Sequence, residues 1–180
     1  MQIWTIGHSN HPLDVFWELL RAHSIALLAD VRSHPGSRKN PHFNADSLRT
    51  SLVDAGVRYH ALPELGGRRK TRPDSRNVAW QSASFRGYAD YMETPAFRAG
   101  IERLLQIAAE GRTAFMCAEA VWWRCHRALI ADYLKAQGHD VWHILSATKI
   151  QAHPYTSAAQ IIDGELRYTG LHSGQESPGD

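Results

Sequence analysis

Short apolar runs alternate with longer amphipathic stretches along this chain, and that alternation constrains the fold more than any other feature of the sequence. Five strands are predicted, at residues 3–8, 26–33, 57–62, 113–119 and 140–145. Amphipathic helices are predicted between them, at 12–24, 44–56, 84–111 and 125–138, the third broken near Pro95. A strand followed by a helix, repeated in this way, predicts an α/β domain with a mostly parallel sheet of about five strands flanked by helices.

The last part of the chain carries a different signal. The dipeptide Asp163-Gly164 lies between two short extended runs, QII and ELR, which predicts a β-hairpin. A length of 180 residues suits a single domain with a hydrophobic core of its own. We therefore expect one α/β domain over residues 1–172 with a C-terminal β-hairpin, followed by a flexible tail over residues 173–180.

Composition narrows the environment and the partners. The chain has no apolar run of the roughly 20 residues that a transmembrane helix needs, and MQIWTIGHSN lacks the pattern of a signal peptide. These features predict a cytoplasmic protein that does not contact a membrane. In that compartment the two cysteines are expected to be free thiols, a metal site or a redox pair. The formal charge of only +2 lends little support to a nucleic-acid partner.

Polar and small residues follow each of the first four predicted strands. The carboxyl ends of parallel strands meet at one edge of a sheet, and ligands usually bind there, so we expect these residues to form one cleft. The residues after the four strands are Gly7, His8, Ser9 and Asn10; Asp30, Arg32, Ser33, Pro35, Ser37 and Arg38; Leu65, Gly66 and Gly67; and Cys117, Glu119, Arg124, Cys125 and His126.

Both cysteines lie in the stretch FMCAEAVWWRCHRALIAD. Cys117 is predicted to end a strand and Cys125 to open a helix, where the helix dipole and free amide groups favour a thiolate. The neighbouring Arg124 and His126 favour it further. Cys125 is then a low-pKa thiol, and Cys117 is a nucleophile or a resolving partner. The alternative is a buried, apolar Cys117 and a Cys125 that merely begins a helix.

A strand, a cysteine, a loop with an arginine and then a helix is also the order found in the phosphate-binding loops of cysteine phosphatases and rhodaneses. In those loops, backbone amides and the arginine hold an oxyanion while the thiolate attacks. Here Trp122 and Trp123 stand where small residues normally let the amides converge. This counts against membership of those families but leaves analogous chemistry open. The two tryptophans either stack on a base or ring, or pack in the core and lid, which we favour.

Three further features have two interpretations each. His8 is either a general acid or base, or a hydrogen-bonding residue. Asp30 and Arg32 form a structural ion pair, or Arg32 and Arg38 hold an anion that Asp30 helps to orient. Glu119 either orients a histidine or acts as an acid, or it caps the following helix.

A metal ion is another chemistry that the cysteines allow. Cys117, Cys125, His126 and His8 offer ligands that suit zinc or iron. Their spacing is not the short C-x-x-C pattern of a zinc knuckle, and adjacent Cys125 and His126 would point apart on a helix. We therefore assign no metal ligand among the favoured site residues, and the cofactor stays open.

The segment GGRRKTRPDSR, residues 66–76, concentrates positive charge and is called the basic segment below. It is either a solvated loop or a clamp that closes over an anionic substrate or a phosphate backbone. Its glycines, its proline and its lack of apolar periodicity predict a mobile loop. Together with the tryptophans, it supports a nucleic-acid-binding or nucleic-acid-modifying function as an alternative.

Five blocks of sequence together resemble the domain of unknown function (DUF) 488 family. They are TIGHSN (5–10), DVRSHPGSRKNPHF (30–43), LGG (65–67), FRGYADYM (85–92) and MCAEAVWWRCHRALIAD (116–132). The resemblance covers nearly the whole domain. It implies a compact α/β fold and supports the positions of the site residues. It implies no reaction, because no general activity is assigned to the family.

We therefore favour a cytoplasmic α/β enzyme, a cysteine-dependent hydrolase or transferase that acts on a small anionic substrate, phosphorylated or nucleotide-like. The alternatives are the nucleic-acid module and a metal-binding or redox-sensing protein without turnover. The candidate catalytic residues are Cys117, Cys125, His8, His126, Glu119 and Asp30. The candidate substrate-binding residues are Ser9, Asn10, Arg32, Ser37, Arg38, Gly66, Gly67, Arg86, Arg124 and Arg127.

Overall fold

Six strands form the central sheet in the computed structural model, which describes residues 1–170. They are β1 (Gln2–Gly7), β2 (Leu27–Asp30), β3 (Arg58–Ala61), β4 (Thr113–Cys117), β5 (Asp140–Ile144) and β6 (Ile150–Ala152). Their order across the sheet is β3–β2–β4–β1–β5–β6. The first five are parallel, as the repeated strand and helix pattern predicts, and β6 is antiparallel to β5. The predicted tail at 173–180 lies outside the described residues.

The edge strand β6 is absent from the sequence-based prediction. Its three residues, Ile-Gln-Ala, form neither an apolar run nor a clear alternation over the length that such a pattern requires. The strand exists because it pairs with β5, in the register that places Ile150 opposite Ile144 and Ala152 opposite Trp142. The sheet therefore has six strands rather than about five.

Five helices flank the sheet. They are α1 (Leu13–Ala22), α2 (Ala45–Asp54), α3 (Ala83–Met92), α4 (Pro95–Glu110) and α5 (Arg127–Ala136). The predicted break at Pro95 is confirmed, since the hydroxyl of Thr94 caps α4 by accepting a hydrogen bond from the backbone amide of Phe97 at 3.3 Å. The predicted start of α5 at Cys125 is wrong, because a short 3₁₀ turn at Trp122–Arg124 comes first and Cys125 is extended.

Alternate residues of the strands point to opposite faces of the sheet, so the sheet has two hydrophobic cores. Leu27 and Phe115 are buried in the core that α3, α4 and α5 cover, whereas Leu28 and Met116 are buried under α1 and α2. Each such side chain contributes about 1.5–3 kcal/mol through its burial. β2 and β4 are paired parallel neighbours between the two cores, so their carboxyl ends open onto the same space.

The C-terminal hairpin is confirmed. It consists of β7 (Gln160–Ile162) and β8 (Glu165–Arg167), which pair antiparallel. Asp163 and Gly164 between them have φ angles of 52° and 80°, as a type I′ turn requires. Tyr168 follows β8 and is buried in the core beneath α5. Among residues 1–170, every helix is too short or too polar to cross a membrane.

Candidate functional site

A cavity of about 350 Å³ opens at the carboxyl ends of β2 and β4. Its lining comes from four segments that are far apart in the sequence. The lining residues are Arg32, Ser33 and His34; Gly67 and Arg68; Ser84, Phe85 and Tyr88; and Cys117, Ala118, Glu119, Arg124, Cys125 and His126. The position agrees with the rule that ligands of parallel sheets bind beyond the strand ends.

Both cysteines and one histidine meet at the inner end of this cavity. The Nδ1 atom of His126 lies 3.6 Å from the Sγ atom of Cys125 and 3.9 Å from the Sγ atom of Cys117. Its other nitrogen, Nε2, lies 3.0 Å from the backbone carbonyl oxygen of Val31. A carbonyl can only accept, so Nε2 carries a hydrogen, and Nδ1 is the ring atom that faces both sulfurs.

The two thiols are close enough for each to change the pKa of the other. A hydrogen bond from the Cys117 thiol lowers the pKa of Cys125 well below its usual value; His126 and Arg127 lower it further, while burial opposes them. The same hydrogen bond, together with burial, raises the pKa of Cys117. These directions favour Cys125 over Cys117 as the thiolate.

The sequence predicts this thiolate from the N-terminus of a helix, and that reason is wrong. α5 begins at Arg127, two residues later, and the backbone amide of Cys125 is already bonded to the carbonyl of Trp122 at 3.1 Å. The negative charge is instead stabilised by the side chains around the sulfur. The thiolate depends on tertiary contacts, above all on the approach of β4 that brings Cys117 to Cys125.

The donor atoms of Cys117, Cys125 and His126 also form a possible metal site. They all lie within 4.8 Å of one another. A tetrahedral zinc ion with Zn–S and Zn–N bonds of about 2.3 and 2.0 Å separates sulfur from nitrogen by about 3.5 Å, close to the observed contacts. His8, the fourth ligand suggested by the sequence, is not part of this group.

Arg32 reaches the cavity from a buried ion pair. Its Nε and Nη2 atoms donate to the two carboxylate oxygens of Asp30 at 2.8 and 2.5 Å. Asp30 also accepts a hydrogen bond from the hydroxyl of Tyr59 at 2.7 Å. Of the two interpretations of Asp30 and Arg32, the structure contains the ion pair, and it leaves further N–H groups of Arg32 for a ligand.

His8 lies behind Arg32 and does not line the cavity. Its Nδ1 atom donates to the carbonyl of Ser9 at 2.8 Å, and its Nε2 atom accepts from the Nη1 atom of Arg32 at 3.1 Å. The ring stacks on Phe43 with centroids 4.2 Å apart. Burial, and then the charge of Arg32, lower the pKa of His8 to about 4. A neutral His8 with both nitrogens engaged supports Arg32 and is poorly placed to transfer a proton.

Arg127, expected to bind substrate, is buried beneath the cavity. Its Nη2 atom donates to the carbonyls of Glu119 and Ala120 in the loop between β4 and α5. Its Nη1 atom lies 3.4 Å from the hydroxyl of Thr5 on β1. Gly7 makes room for this packing, because a Cβ atom there would lie 2.8 Å from Nη2 of Arg127. Arg127 therefore holds the loop that carries the cysteines.

The entrance of the cavity carries the exposed charges. Arg68 and Arg124 line it with exposed guanidinium groups, and the exposed Glu119 also lines it. Gly67 comes so close to the imidazole that a Cβ atom would lie 2.9 Å from the Nδ1 atom of His126. Its carbonyl accepts from the hydroxyl of Ser33 at 2.8 Å. These contacts bring the β3–α3 connection against the cysteine loop.

Several residues expected at the site do not line the cavity. Gly66 packs against Ser33 behind it, and Arg86 donates to the carbonyl of Trp80 at 3.0 Å. Apart from His8 and Arg127, the others that do not line it are Asp30, Ser9, Asn10, Ser37 and Arg38. The cavity instead includes Phe85 and Tyr88, which sequence analysis does not assign to the site.

Most of the basic segment is bound to α3 and the loop before it. The guanidinium of Arg69 lies 3.6 Å from the ring centroid of Tyr91, and Arg72 donates to Glu93 at 2.6 Å. The backbone amide of Arg72 donates to Asp90 at 2.8 Å. These contacts argue against the predicted mobility of the segment. They also weaken the nucleic-acid interpretation, because the guanidinium groups of Arg69 and Arg72 are already bound within the protein.

The two tryptophans have different environments. Trp122 is buried and stacks on His143 with an interplanar angle of 1° and centroids 4.2 Å apart. Trp123 is 54% exposed. The favoured core interpretation therefore holds for Trp122, whereas Trp123 is on the surface.

The comparisons with known proteins add a family but no activity. The family described as "Domain of unknown function DUF488" matches residues 12–134. Neither a curated protein nor a solved structure matches the chain. The matched range contains every residue that lines the cavity. The match covers more than half of the chain and agrees with the resemblance in the sequence blocks: the chain belongs to the DUF488 family.

Proposed function

We propose that this protein is a cytoplasmic enzyme that uses the thiolate of Cys125 as a nucleophile on a small anionic substrate. The observation that supports this most directly is the meeting of two thiols and an imidazole inside a cavity that Arg32, Arg68 and Arg124 line. A thiolate attacks electrophilic carbon or phosphorus, and guanidinium groups hold oxyanions at a fixed distance from it.

The proposed reaction is a hydrolysis or group transfer in two steps. The electron pair of Cys125 forms a bond to the electrophilic atom, and the leaving group departs with its own pair. Water or an acceptor molecule then displaces Cys125 and regenerates the thiolate. His126 and Glu119 both line the cavity and are the groups available to give a proton to the leaving group and remove one from the attacking molecule.

The substrate that fits these walls is small, anionic and partly apolar. The volume is near the lower end for ligand cavities, which favours a compact phosphorylated or nucleotide-like molecule. Arg68 and Arg124 would contact its anionic part, and Phe85 lies on the wall where a ring would stack.

Alkylation of the native protein with iodoacetamide at neutral pH tests this proposal. We expect Cys125 to react faster than the same cysteine in the unfolded chain, and inorganic phosphate to protect it. Trypsin cleaves after Arg124, so the adducts of Cys117 and Cys125 fall on different peptides and mass spectrometry separates them. A Cys125 that reacts no faster than in the unfolded chain would contradict the proposal.

A metal-binding protein is the second candidate, supported by the close approach of the three donor atoms of Cys117, Cys125 and His126. Elemental analysis of the purified protein distinguishes the two. One zinc or iron ion per chain, lost in both Cys117→Ser and Cys125→Ser, would favour the metal. A metal-free protein with a fast Cys125 would favour the thiolate.

A further inference from the structure

A chain of buried polar side chains crosses the core beside the candidate site and takes no part in the reaction proposed above. The hydroxyl of Thr5 lies 2.8 Å from Nδ1 of His143, and Nε2 of His143 lies 2.9 Å from Nδ1 of His153. Nε2 of His153 lies 3.0 Å from the carboxylate of Asp132. All four residues are at most 2% exposed. Burying this many polar groups is costly unless each is satisfied, so their arrangement calls for an explanation.

The carboxylate of Asp132 lies at one end of this chain and accepts several hydrogen bonds. It accepts from the hydroxyl groups of Thr156 and Tyr168 at 2.6 and 2.9 Å, and from the backbone amide of Thr156 at 2.9 Å. Because the carboxylate is surrounded by donors, Nε2 of His153 donates to it as well.

A neutral His143 carries one hydrogen, on one of its two ring nitrogens. With that hydrogen on Nε2, His143 donates to Nδ1 of His153 and accepts at Nδ1 from the hydroxyl of Thr5. Burial first, and then the neighbouring His153 and Arg127, lower the pKa of His143 to about 2, so its ring is neutral. The oxygen of Thr5 is then left to accept from Nη1 of Arg127.

Arg127 connects the end of this chain to the cysteines. Its guanidinium donates to the oxygen of Thr5 on one side and to the carbonyls of Glu119 and Ala120 on the other. Those carbonyls belong to the loop between Cys117 and Cys125. The charge of Arg127 also helps to lower the pKa of Cys125 and opposes the rise in the pKa of Cys117.

Trp122 makes a second contact between the chain and the same loop. Its indole lies flat on the ring of His143, and its Nε1 atom donates to the side chain of Gln151 at 3.3 Å. A rotation of the His143 ring would therefore disturb Trp122 as well as Thr5. The loop that presents Cys125 is thus held at two points by residues of this chain.

We infer that the buried chain Asp132–His153–His143–Thr5 is a positioning device that holds Arg127 and Trp122, and through them the loop that carries Cys125. The inference rests on the proposed function, because it gives these residues a task only if Cys125 acts as a thiolate. None of the four lines the cavity, so they are positioning residues that act through Arg127 and the loop.

The state of Cys125 depends on the groups around it as well as on this chain. These groups belong to β4, α3 and α5, to the segment after β2, and to the loop between β4 and α5. The titratable and charged groups near the sulfur are Cys117, Tyr88, Arg127, His126, Arg32, Arg124 and Glu119. The test must therefore change the chain while leaving all of these in place.

Thr5→Val removes the hydroxyl at nearly constant shape, Thr5→Ser retains it, and Thr113→Val is the matched control. Thr113 is equally buried but lies at the opposite end of β4, where its hydroxyl donates to the carbonyl of Gly111 at 2.9 Å. The readout is the pH midpoint for iodoacetamide alkylation of Cys125 in each folded variant. A structural effect alone would lower stability in both valine variants without moving this midpoint.

We expect Thr5→Val to raise the midpoint by about one pH unit, which slows alkylation about tenfold at a pH below the midpoint. Thr5→Ser and Thr113→Val should keep the wild-type midpoint. A fast wild-type Cys125 with an unmoved midpoint in Thr5→Val would overturn this inference and leave the proposed function standing. A wild-type Cys125 that is no faster than in the unfolded chain would overturn both.

A second measurement needs no variant and remains decisive if Thr5→Val fails to fold. Nitrogen-15 NMR of the wild-type protein reports which ring nitrogen of each histidine carries hydrogen. We expect His143 to be neutral at neutral pH with its hydrogen on Nε2, and His153 to carry a hydrogen on the Nε2 atom that faces Asp132. A hydrogen on Nδ1 of His143 would remove the donor role of Thr5 and overturn the inference.

Discussion

Cys125 and His126 are adjacent in the chain, yet the Sγ atom of one lies 3.6 Å from the Nδ1 atom of the other. Two adjacent residues on a helix would point about 100° apart, which argued from sequence against a shared site. The contact exists because Cys125 is extended, with a φ of −132°, and His126 precedes the first turn of α5. The irregular backbone between Cys117 and α5 is therefore what brings the donor atoms together.

The first prediction concerns the effect of the Cys117 thiol on the reactivity of Cys125. We expect Cys117→Ala to raise the pKa of Cys125 and slow its alkylation at neutral pH about tenfold, the effect of roughly one pKa unit. Cys117→Ser keeps an O–H donor and should fall between the alanine variant and the wild type. Peptide mass spectrometry over a time course measures both rates. An alanine variant that reacts as fast as the wild type would show that the hydrogen bond from Cys117 does not stabilise the thiolate.

Two neighbouring arginines of the basic segment should have different effects when replaced, one on phosphate binding and the other on stability. Arg68 is exposed at the cavity, so Arg68→Ala should weaken phosphate binding about tenfold, the loss expected for one charged hydrogen bond, with stability changed by about 0.5 kcal/mol or less. Arg69 packs on Tyr91 and donates to the carbonyls of Glu64 and Gly66. Arg69→Ala should therefore cost about 1–3 kcal/mol of stability.

Calorimetry with inorganic phosphate and urea denaturation of both variants separate these effects. The two substitutions are matched controls for each other, since each removes one positive charge from the same segment. Equal losses of stability in both variants would contradict the assignment of a binding role to Arg68 and a structural role to Arg69.

His8 should make the protein less stable as the pH falls. Its pKa is lowered to about 4 in the folded protein, below the usual value of 6.5, so the unfolded chain binds the proton first. The neutral ring contributes on the order of 3 kcal/mol to the free energy of unfolding. This contribution is complete above a pH of about 6.5 and is lost as the pH falls to about 4. His8→Gln lacks this titration. The stability difference between wild type and variant, from urea denaturation across this range, should therefore shift against the wild type at low pH; a constant difference would contradict the buried neutral imidazole.

Gly7 should be intolerant of a side chain. A Cβ atom there would lie 1.9 Å from the carbonyl oxygen of Glu119 and 2.8 Å from Arg127, and a backbone atom cannot move aside as a flexible side chain can. We expect Gly7→Ala to cost about 1–3 kcal/mol or more and to slow the alkylation of Cys125. Gly36→Ala is the control, because nothing lies within 4 Å of the added atom. Thermal denaturation measures both, and equal melting temperatures would contradict the close packing.

Local patterns in the sequence predict the elements of the fold well, and they fail where a contact depends on distant residues. The strands at Leu27–Asp30 and Thr113–Cys117 are apolar runs that any pairing would bury, so their existence can be predicted without knowing their neighbours. β6 has no such pattern of its own and depends on β5. The start of α5 was misplaced because the 3₁₀ turn at Trp122–Arg124 leaves no clear stop signal before Arg127.

The candidate site shows the same division. Cys117, Arg32 and His126 could be placed at one edge of the sheet because strand ends of a parallel sheet converge. His8 and Arg127 were assigned to the same cleft, and sequence could not reveal that each lies behind another layer. The only sequence signal for the buried chain was a polar Thr5 and His143 inside predicted strands, and their pairing joins residues 138 positions apart.

The separate origins of the cavity lining have an evolutionary consequence. Cys117 is fixed by the register of β4, opposite Gly7 on the central strand β1, whereas Arg68 and Phe85 belong to the long connection between β3 and α3. An insertion or deletion in that connection would resize the opening without shifting any strand against its neighbour. The opening of the cavity can therefore change in size while both thiols keep their places.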